Sequence, residues 1–230
     1  MPPTLSIVMP VLNEAQQLAS MRPWSKGAGD VEWIVVDGGS RDNSVALAMK
    51  TGAKVIESVA GRARQMNAGA AVAMGDYLLF LHADTVLPDN LDQFLATLKA
   101  KKPTWGFFRV CLQPSGGLLN IVAGAMNLRS RLTRVATGDQ AQFIRRADFE
   151  RMKGFADIPL MEDVEISKRL RRQVRPMIWA QPVITSSRRW QKHGVLKTIL
   201  LMWSLRLQYV LGVSPEILHK RYSGESVDAQ

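Results

Sequence analysis

The chain has 230 residues, 47% of them hydrophobic and 22% charged, and carries a net charge of +10. At roughly 150 residues per domain this length is one domain, or one with an extension, and the balance excludes a largely disordered chain. A lone cysteine, Cys111, excludes an internal disulfide and fits a reducing compartment.

The first apolar run, 5–12 (LSIVMPVL), has strand length and is too short for a membrane span. No basic region precedes it and Asn13 and Glu14 follow it, so no secretory leader is expected and the expected address is the cytoplasm. Runs 31–36 (VEWIVV), 54–57 and 77–81 (YLLFL) read as further strands, separated by helical stretches at 15–21, 43–50 and 62–74. Strands alternating with helices predict right-handed βαβ units and a parallel sheet covered on both faces.

The second half is less regular. Strands are expected at 105–112, 142–144 and 177–185, and helices at 118–132, 163–172 and 196–211. No Gly/Ser/Pro linker divides the chain, so one α/β domain is expected, its second half built onto the same sheet. Charge divides it instead: residues 1–128 hold 11 Lys and Arg against 10 Asp and Glu, and residues 129–230 hold 19 against 10. Such a half either faces something anionic or is a solvated basic face. No recognition-helix, zinc or aromatic-sheet signature accompanies the charge, so no nucleic-acid partner is expected.

Ligands of open parallel sheets bind past the carboxyl ends of the strands. There the first run gives Pro10, Asn13 and Glu14, the second Asp37-Gly38-Gly39-Ser40-Arg41-Asp42, the third Gly61-Arg62-Ala63-Arg64-Gln65, and the fourth His82-Ala83-Asp84-Thr85. Each cluster has an ordinary explanation in caps and turns. Together they hold the acidic, basic and amide groups that line a site for a phosphorylated nucleoside. Asp37 is placed to accept a base N–H, and Gly38 to let a ring or ribose approach the backbone. Arg62 and Arg64 open a helix where dipole and guanidinium both favour a diphosphate. Asp84 is the candidate ligand for Mg²⁺ or Mn²⁺, which is commonly held by one or two carboxylates plus phosphate oxygens.

In order and spacing, the segments IVMPVLNE (7–14), VVDGGSRDNS (35–44), GRARQMNAGA (61–70), GDYLLFLHADT (75–85), GDQ (138–140) and MEDVE (161–165) resemble family 2 glycosyltransferases of the GT-A fold over nearly the whole chain. SSRRW (186–190) and LGVSPEILHKRY (211–222) resemble a short, stand-alone bacterial subgroup with largely undefined acceptors. The resemblance implies a Rossmann-like, mostly parallel sheet flanked by helices. It also implies a nucleotide-sugar half (1–100), an acceptor and catalytic half (101–192) and a C-terminal helical extension (193–230). Pro10, Asn13, Glu14 and Asp37 would surround a uracil or guanine, with UDP favoured, and Asn67 would join the donor site. His82-Ala83-Asp84 stands where the family has Asp-X-Asp, so metal binding rests on Asp84, and His193 is a candidate second ligand.

Glu162-Asp163 corresponds to the acidic pair carrying the catalytic base. Asp163 is the expected base, with Glu162 or Glu165 as alternatives, and Asp163 also suits a helix cap. Gly138, Asp139, Arg188, Arg189 and Trp190 would face the acceptor or the diphosphate. Ser186 replaces the Gln of the processive Gln-X-X-Arg-Trp motif, so single transfer is expected. The implied reaction is inverting, metal-dependent transfer of one sugar from a nucleoside-diphosphate sugar to a small-molecule or lipid-linked hydroxyl. Alternatives are a non-catalytic nucleotide-sugar-binding protein, or a nucleotidyltransferase, against which the carboxylate-bearing loop at Glu14 speaks. Residues 195–213 carry a central Arg206 and so do not read as a span. The helix is expected either to be buried, to form a homodimer contact, or to lie on an anionic membrane surface.

Overall fold

The computed structural model describes residues 2–21 and 30–223. Its eight strands form one sheet: β1 (Leu5–Val11), β2 (Val31–Asp37), β3 (Lys54–Glu57), β4 (Tyr77–Phe80), β5 (Thr85–Val86), β6 (Trp105–Gln113), β7 (Gln142–Arg145) and β8 (Met177–Ser186), in the order β3-β2-β1-β4-β7-β6-β8-β5. The four apolar runs of the first half are mutually parallel, and β6 and β8 are also parallel. β7 enters antiparallel to both β4 and β6, and two-residue β5 antiparallel to β8.

Helices α1 (Ala15–Ser20), α2 (Ser44–Lys50), α3 (Arg62–Ala71) and α4 (Leu91–Lys101) belong to the first half. Helices α5 (Gly117–Thr133), α6 (Arg146–Arg151), α7 (Glu162–Arg171), α8 (Arg188–His193), α9 (Val195–Val210) and α10 (Pro215–Ser223) belong to the second, with a 3-10 turn at Gly138–Gln140. Relative to the sequence reading, α3 stops at Ala71, before Gly75, and α7 begins one residue earlier, at Glu162. The sequence reading lacks β5, α4, α6 and α8, while α10 falls within the helical extension expected over 193–230.

Alternation along the strands sends apolar residues to both faces of the sheet. Leu5, Ile7, Met9 and Val11 of β1 pack on one side with Leu18, Ala48 and the ring of Phe94. Val8, Ile34, Val36, Leu78 and Phe80 pack on the other with Ala63 and Met66 of α3 and Ile166 and Leu170 of α7. Phe94 is fully buried, its ring centroid within 4.8–5.1 Å of those of Phe108, Phe143 and Trp179. Burial of this kind is worth about 1.5–3 kcal/mol per large side chain.

The chain runs outward from β1 to β2 and β3, then returns to place β4 on the other side of β1, so the switch point lies between β1 and β4. The β1–β4 register ends at Val8 and Phe80, whereas β1 continues to Val11. Pro10, which lacks an N–H, therefore sits beyond the last β4 partner, where the missing donor leaves no gap in that ladder. The strands part at this point, and the loops after β1 and β4 flank the opening.

Candidate active site

The loops after β1 and β2 are locked to each other by their own polar groups. The Asp37 carboxylate, almost fully buried, accepts Gly39 N–H and Ser40 N–H at 2.9 Å each and the Ser40 hydroxyl as well. Ser40 Oγ accepts Asn13 N–H at 2.9 Å, and Asn13 Oδ1 accepts Arg41 N–H at 2.8 Å. Asp37 is thus engaged by three donors of its own loop, where the sequence suggested a base N–H. Gly38 also has a local reason: a Cβ there would meet the Gln65 side chain at 3.0–3.1 Å. Gln65 Nε2 donates to Val11 O and Val36 O at 2.8 Å each, clamping the ends of β1 and β2. Leaving such buried carbonyls unpaired would cost about 1–3 kcal/mol each.

Across the switch point, Glu14 comes from β1 and Asp84 from β4. Burial raises the Glu14 carboxyl above its ordinary range; Asp84 adds to the rise, while Arg188 and His82 oppose it. Arg188, at the start of α8, therefore lies on the same rim. Trp190 packs instead into the apolar cluster of Leu112, Leu119 and Val122. The side chains of Arg189 and His193, candidates for the acceptor site and the metal, lie outside the described residues.

Beneath this rim is a cleft lined by Arg62, Met66, Phe80, His82, Gly138, Gln142, Phe155, Glu162 and Asp163. Arg62, on the first turn of α3, sets Nη1 3.4 Å from Glu162 Oε1. Burial works against its charge, but Glu162, Tyr222, Asp163 and Asp139 together hold it firmly protonated. Its side chain is 40% exposed, which leaves guanidinium donors free for a ligand. Its neighbour Arg64 turns outward to Asp157, at 2.8 Å, in an exposed pair worth little to stability. Asn67 is fully engaged: its amide donates to Phe155 O and accepts from Phe155 N–H, both at 2.9 Å. Arg64 and Asn67 thus brace the 154–157 loop in this structure.

His82, following β4, packs so closely on the 3-10 turn that a Cβ on Gly138 would lie 2.5 Å from its ring. Its Nδ1 is 3.5 Å from Asp139 Oδ1. Desolvation would raise the Asp139 carboxyl, but His82, Arg62 and Arg129 outweigh it and hold the group below its ordinary range. Ala83 is buried.

Asp163 enters from the start of α7, where Met161 takes a left-handed conformation with φ 71°. Asp163 Oδ2 accepts Gly138 N–H at 2.7 Å, and Oδ1 accepts Val164 N–H at 2.6 Å. Its carboxylate is partly exposed on the cleft, while Glu162 beside it is almost fully buried. Glu165 is bound to Arg169 at 2.6–3.0 Å, which removes it as a candidate base.

Burial raises the Glu162 carboxyl above its ordinary 4.5, and Asp163 adds to the rise against Arg62 and His82. A carboxyl of this kind holds its proton more tightly in the folded chain. The stability it contributes is full below the unfolded value and is lost as pH rises through the folded one. Glu162→Gln is therefore expected to flatten the fall of the urea midpoint as pH rises from 4.5; an unchanged slope would place that titration elsewhere.

Sequence reasoning missed three contributors. Arg129 of α5 is a largely desolvated cation whose charge is supported by Asp163 and Asp139. Tyr209 of α9 lies near Asp163, and Tyr222 of α10 near Arg62. Arg129 and Tyr209 sit in no recognised motif, Tyr222 ends the 211–222 segment without having been singled out there, and each belongs to a helix distant in sequence from the group it influences.

A cation site can be judged from the donors. Among the described residues no group of three or more His, Cys, Asp and Glu could hold a metal. Asp84, partly exposed and near enough to Glu14 to act on its charge, nonetheless suits a divalent ion completed by phosphate oxygens.

Residues 6–117 match the profile of Glycosyl transferase family 2. The chain is 31% identical over 131 residues to glucosyl-3-phosphoglycerate synthase of Mycolicibacterium smegmatis, a match covering 49% of this chain and 43% of that protein. It is 37% identical over 118 residues to an uncharacterised glycosyltransferase of Mycobacterium tuberculosis, covering 46% and 45%. The chain thus spans less than half the length of these curated relatives. Among solved structures, S. aureus TarS 1-349 superposes with a TM-score of 0.65 at 16% identity, covering 81% of this chain and 61% of that one. Mannosyltransferase PcManGT from Pyrobaculum calidifontis, in complex with GDP-Man and Mn²⁺, superposes at 0.61 and 16% identity, covering 100% and 66%. These likenesses establish the GT-A fold.

Proposed function

Residues 6–117 match glycosyl transferase family 2 and the chain has the GT-A fold, and from that premise we propose that it moves one sugar from a nucleoside-diphosphate sugar to an acceptor hydroxyl with inversion at the anomeric carbon. The observation carrying this reading is the convergence of Arg62, His82, Glu162 and Asp163 on one cleft at the carboxyl ends of the strands. The curated relatives and the complex of PcManGT with GDP-Man support a nucleotide-sugar donor. A UDP-sugar is favoured, and the donor lies across the switch point near Glu14, Gly38 and Asp84. Residues 1–230 act as one unit, in the cytoplasm.

Asp163 takes the proton of the acceptor hydroxyl as its oxygen attacks the anomeric carbon and the bond to the diphosphate breaks. A partly exposed carboxylate at a cleft wall is suited to this, because its proton acceptor can reach a bound hydroxyl. Gly138 N–H fixes the carboxylate's orientation. Arg62 offers donors to the departing diphosphate, in a site where electrostatic stabilisation typically carries ~10²–10³ in rate. Glu162 holds Arg62 in place. Asp84 would hold Mg²⁺ or Mn²⁺, which would supply positive charge to the leaving group. The acceptor is a small-molecule or lipid-linked hydroxyl; contact with an anionic membrane and a homodimer are compatible with the same chemistry.

A panel of UDP- and GDP-sugars incubated with Mg²⁺ or Mn²⁺ and no acceptor tests the reading. Slow release of the nucleoside diphosphate from one of them, abolished by chelation, is expected. The replacement of a carboxylate by His82 gives one competing reading its footing: a non-catalytic nucleotide-sugar-binding protein, which would bind a donor in the same panel and never release the diphosphate. A panel with neither binding nor release would dismiss both.

A further inference from the structure

Helix α9 was expected to be buried, to meet a second copy, or to lie on a membrane. Only Thr198 and Leu205 of it are buried, Leu205 against the start of α7 and its neighbours and Thr198 with its hydroxyl on Gly194 O. Leu196, Leu200, Trp203, Leu207 and Val210 are each 61–72% exposed. Their spacing puts all five within about a 100° arc at 3.6 residues per turn. Lys197 and Arg206 fall on opposite flanks of that stripe. Helix α5, joined to α9 through Leu119, Val122, Val195 and Ile199, has its own exposed series at Leu118, Ile121, Leu128 and Leu132.

The charges around these stripes are of one sign. Residues 93–138, which carry α5, contain 7 Lys and Arg and no Asp or Glu. Residues 166–215, which carry α8 and α9, contain 10 Lys and Arg and no Asp or Glu. An apolar seam carried on segments whose charged residues are all cationic is poorly matched to itself, because a second copy would bring like charges together. It is well matched to a surface that is anionic outside and apolar beneath. Trp203 and the long cationic side chains suit the boundary between headgroups and acyl chains.

We propose that the outer faces of α5 and α9 dock on an anionic lipid bilayer. The same two helices carry Arg129 and Tyr209, both within electrostatic reach of Asp163, and α9 packs through Leu205 on Met161 and Val164 at the start of α7, so docking would place the bilayer beside the element that bears Asp163. On the transferase reading, on which this part rests, that placement brings a lipid-borne hydroxyl to the acceptor side. Docking is measured without donor or acceptor, so it and sugar transfer can fail separately.

The test is co-sedimentation of the whole chain with phosphatidylcholine vesicles, with and without phosphatidylserine. Binding is expected only with phosphatidylserine at low salt, and release in molar salt. Trp203→Ser with Leu207→Ser should lower the partition constant about tenfold. Lys197→Glu, which leaves the apolar stripe intact, should lower it about fivefold. Circular dichroism confirms that both variants fold. No binding to phosphatidylserine vesicles at low salt, or binding by both variants as tight as that of the wild type, would overturn the proposal. So would a concentration-dependent dimer that the serine variant dissolves, since the face would then belong to a second copy.

Discussion

Asp163→Asn is expected to lower donor turnover about 10²–10⁴-fold, whether water or an added alcohol is the acceptor, while the nucleotide dissociation constant stays within error of wild type. The substitution is chosen because it separates two roles of one side chain. Asp163 accepts Gly138 N–H at 2.7 Å through Oδ2 and Val164 N–H at 2.6 Å through Oδ1; the single oxygen of asparagine can keep the bond to the 138–140 turn and gives up the one to Val164. What asparagine cannot do is take a proton from an attacking hydroxyl. A purely structural Asp163 would therefore show the change in stability and in nucleotide binding along with turnover, whereas loss of a base lowers turnover and leaves binding intact. Turnover and calorimetric binding measured on the same preparation decide between them. Near-normal turnover would shift the proton-acceptor role to Glu162, whose buried position beside Arg62 makes it the harder group to bring to a substrate.

The second large effect is expected at Asp84. Asp84→Ala should weaken nucleotide-sugar binding in Mg²⁺ or Mn²⁺ by about 10–100-fold and leave binding in chelator unchanged, so that the metal dependence itself disappears. The physical basis is the sparse donor set. Among the described residues no cluster of three ligands exists, and His82 contributes an imidazole engaged with Asp139 in place of a second carboxylate. With so few protein ligands, one carboxylate carries most of the ion's protein coordination. The loss should also let Glu14 ionise more readily, because Asp84 is one of the charges disfavouring it. Titration calorimetry with and without chelator checks the effect; a variant retaining full metal-dependent affinity would remove Asp84 from the metal site.

The cleft differs from its sequence-based outline in ways that follow from side-chain direction. Asp37, Asn67 and Arg64 all lie on the expected segments. Yet Asp37 is held by Gly39 and Ser40, Asn67 by the backbone of Phe155, and Arg64 by Asp157. A motif specifies which segment arrives at the strand ends; which way each side chain then turns depends on donors supplied by loops remote in the chain. Gln65 illustrates the same point from the other side. It stands inside a recognised segment, but its function as a clamp on two strand ends requires β1 and β2 to be already adjacent.

What the sequence by itself determined is the parallel half of the sheet and the polar clusters at its strand ends. Continuous apolar runs of strand length, broken by helical stretches and Gly- and Asp-rich turns, are local signals readable within a few residues. Tertiary structure alone decided the antiparallel insertion of β7 between β4 and β6, because a four-residue strand such as Gln142–Arg145, with only Phe143 and Ile144 apolar, carries no record of its direction. It also decided that Arg129 and Tyr209 come within electrostatic reach of Asp163 and Tyr222 of Arg62, and that the outer stripe of α9 is left uncovered. An apolar period defines a face but not what the face meets; that depends on packing between segments far apart in the chain, where burial and charge are settled only once the chain has closed.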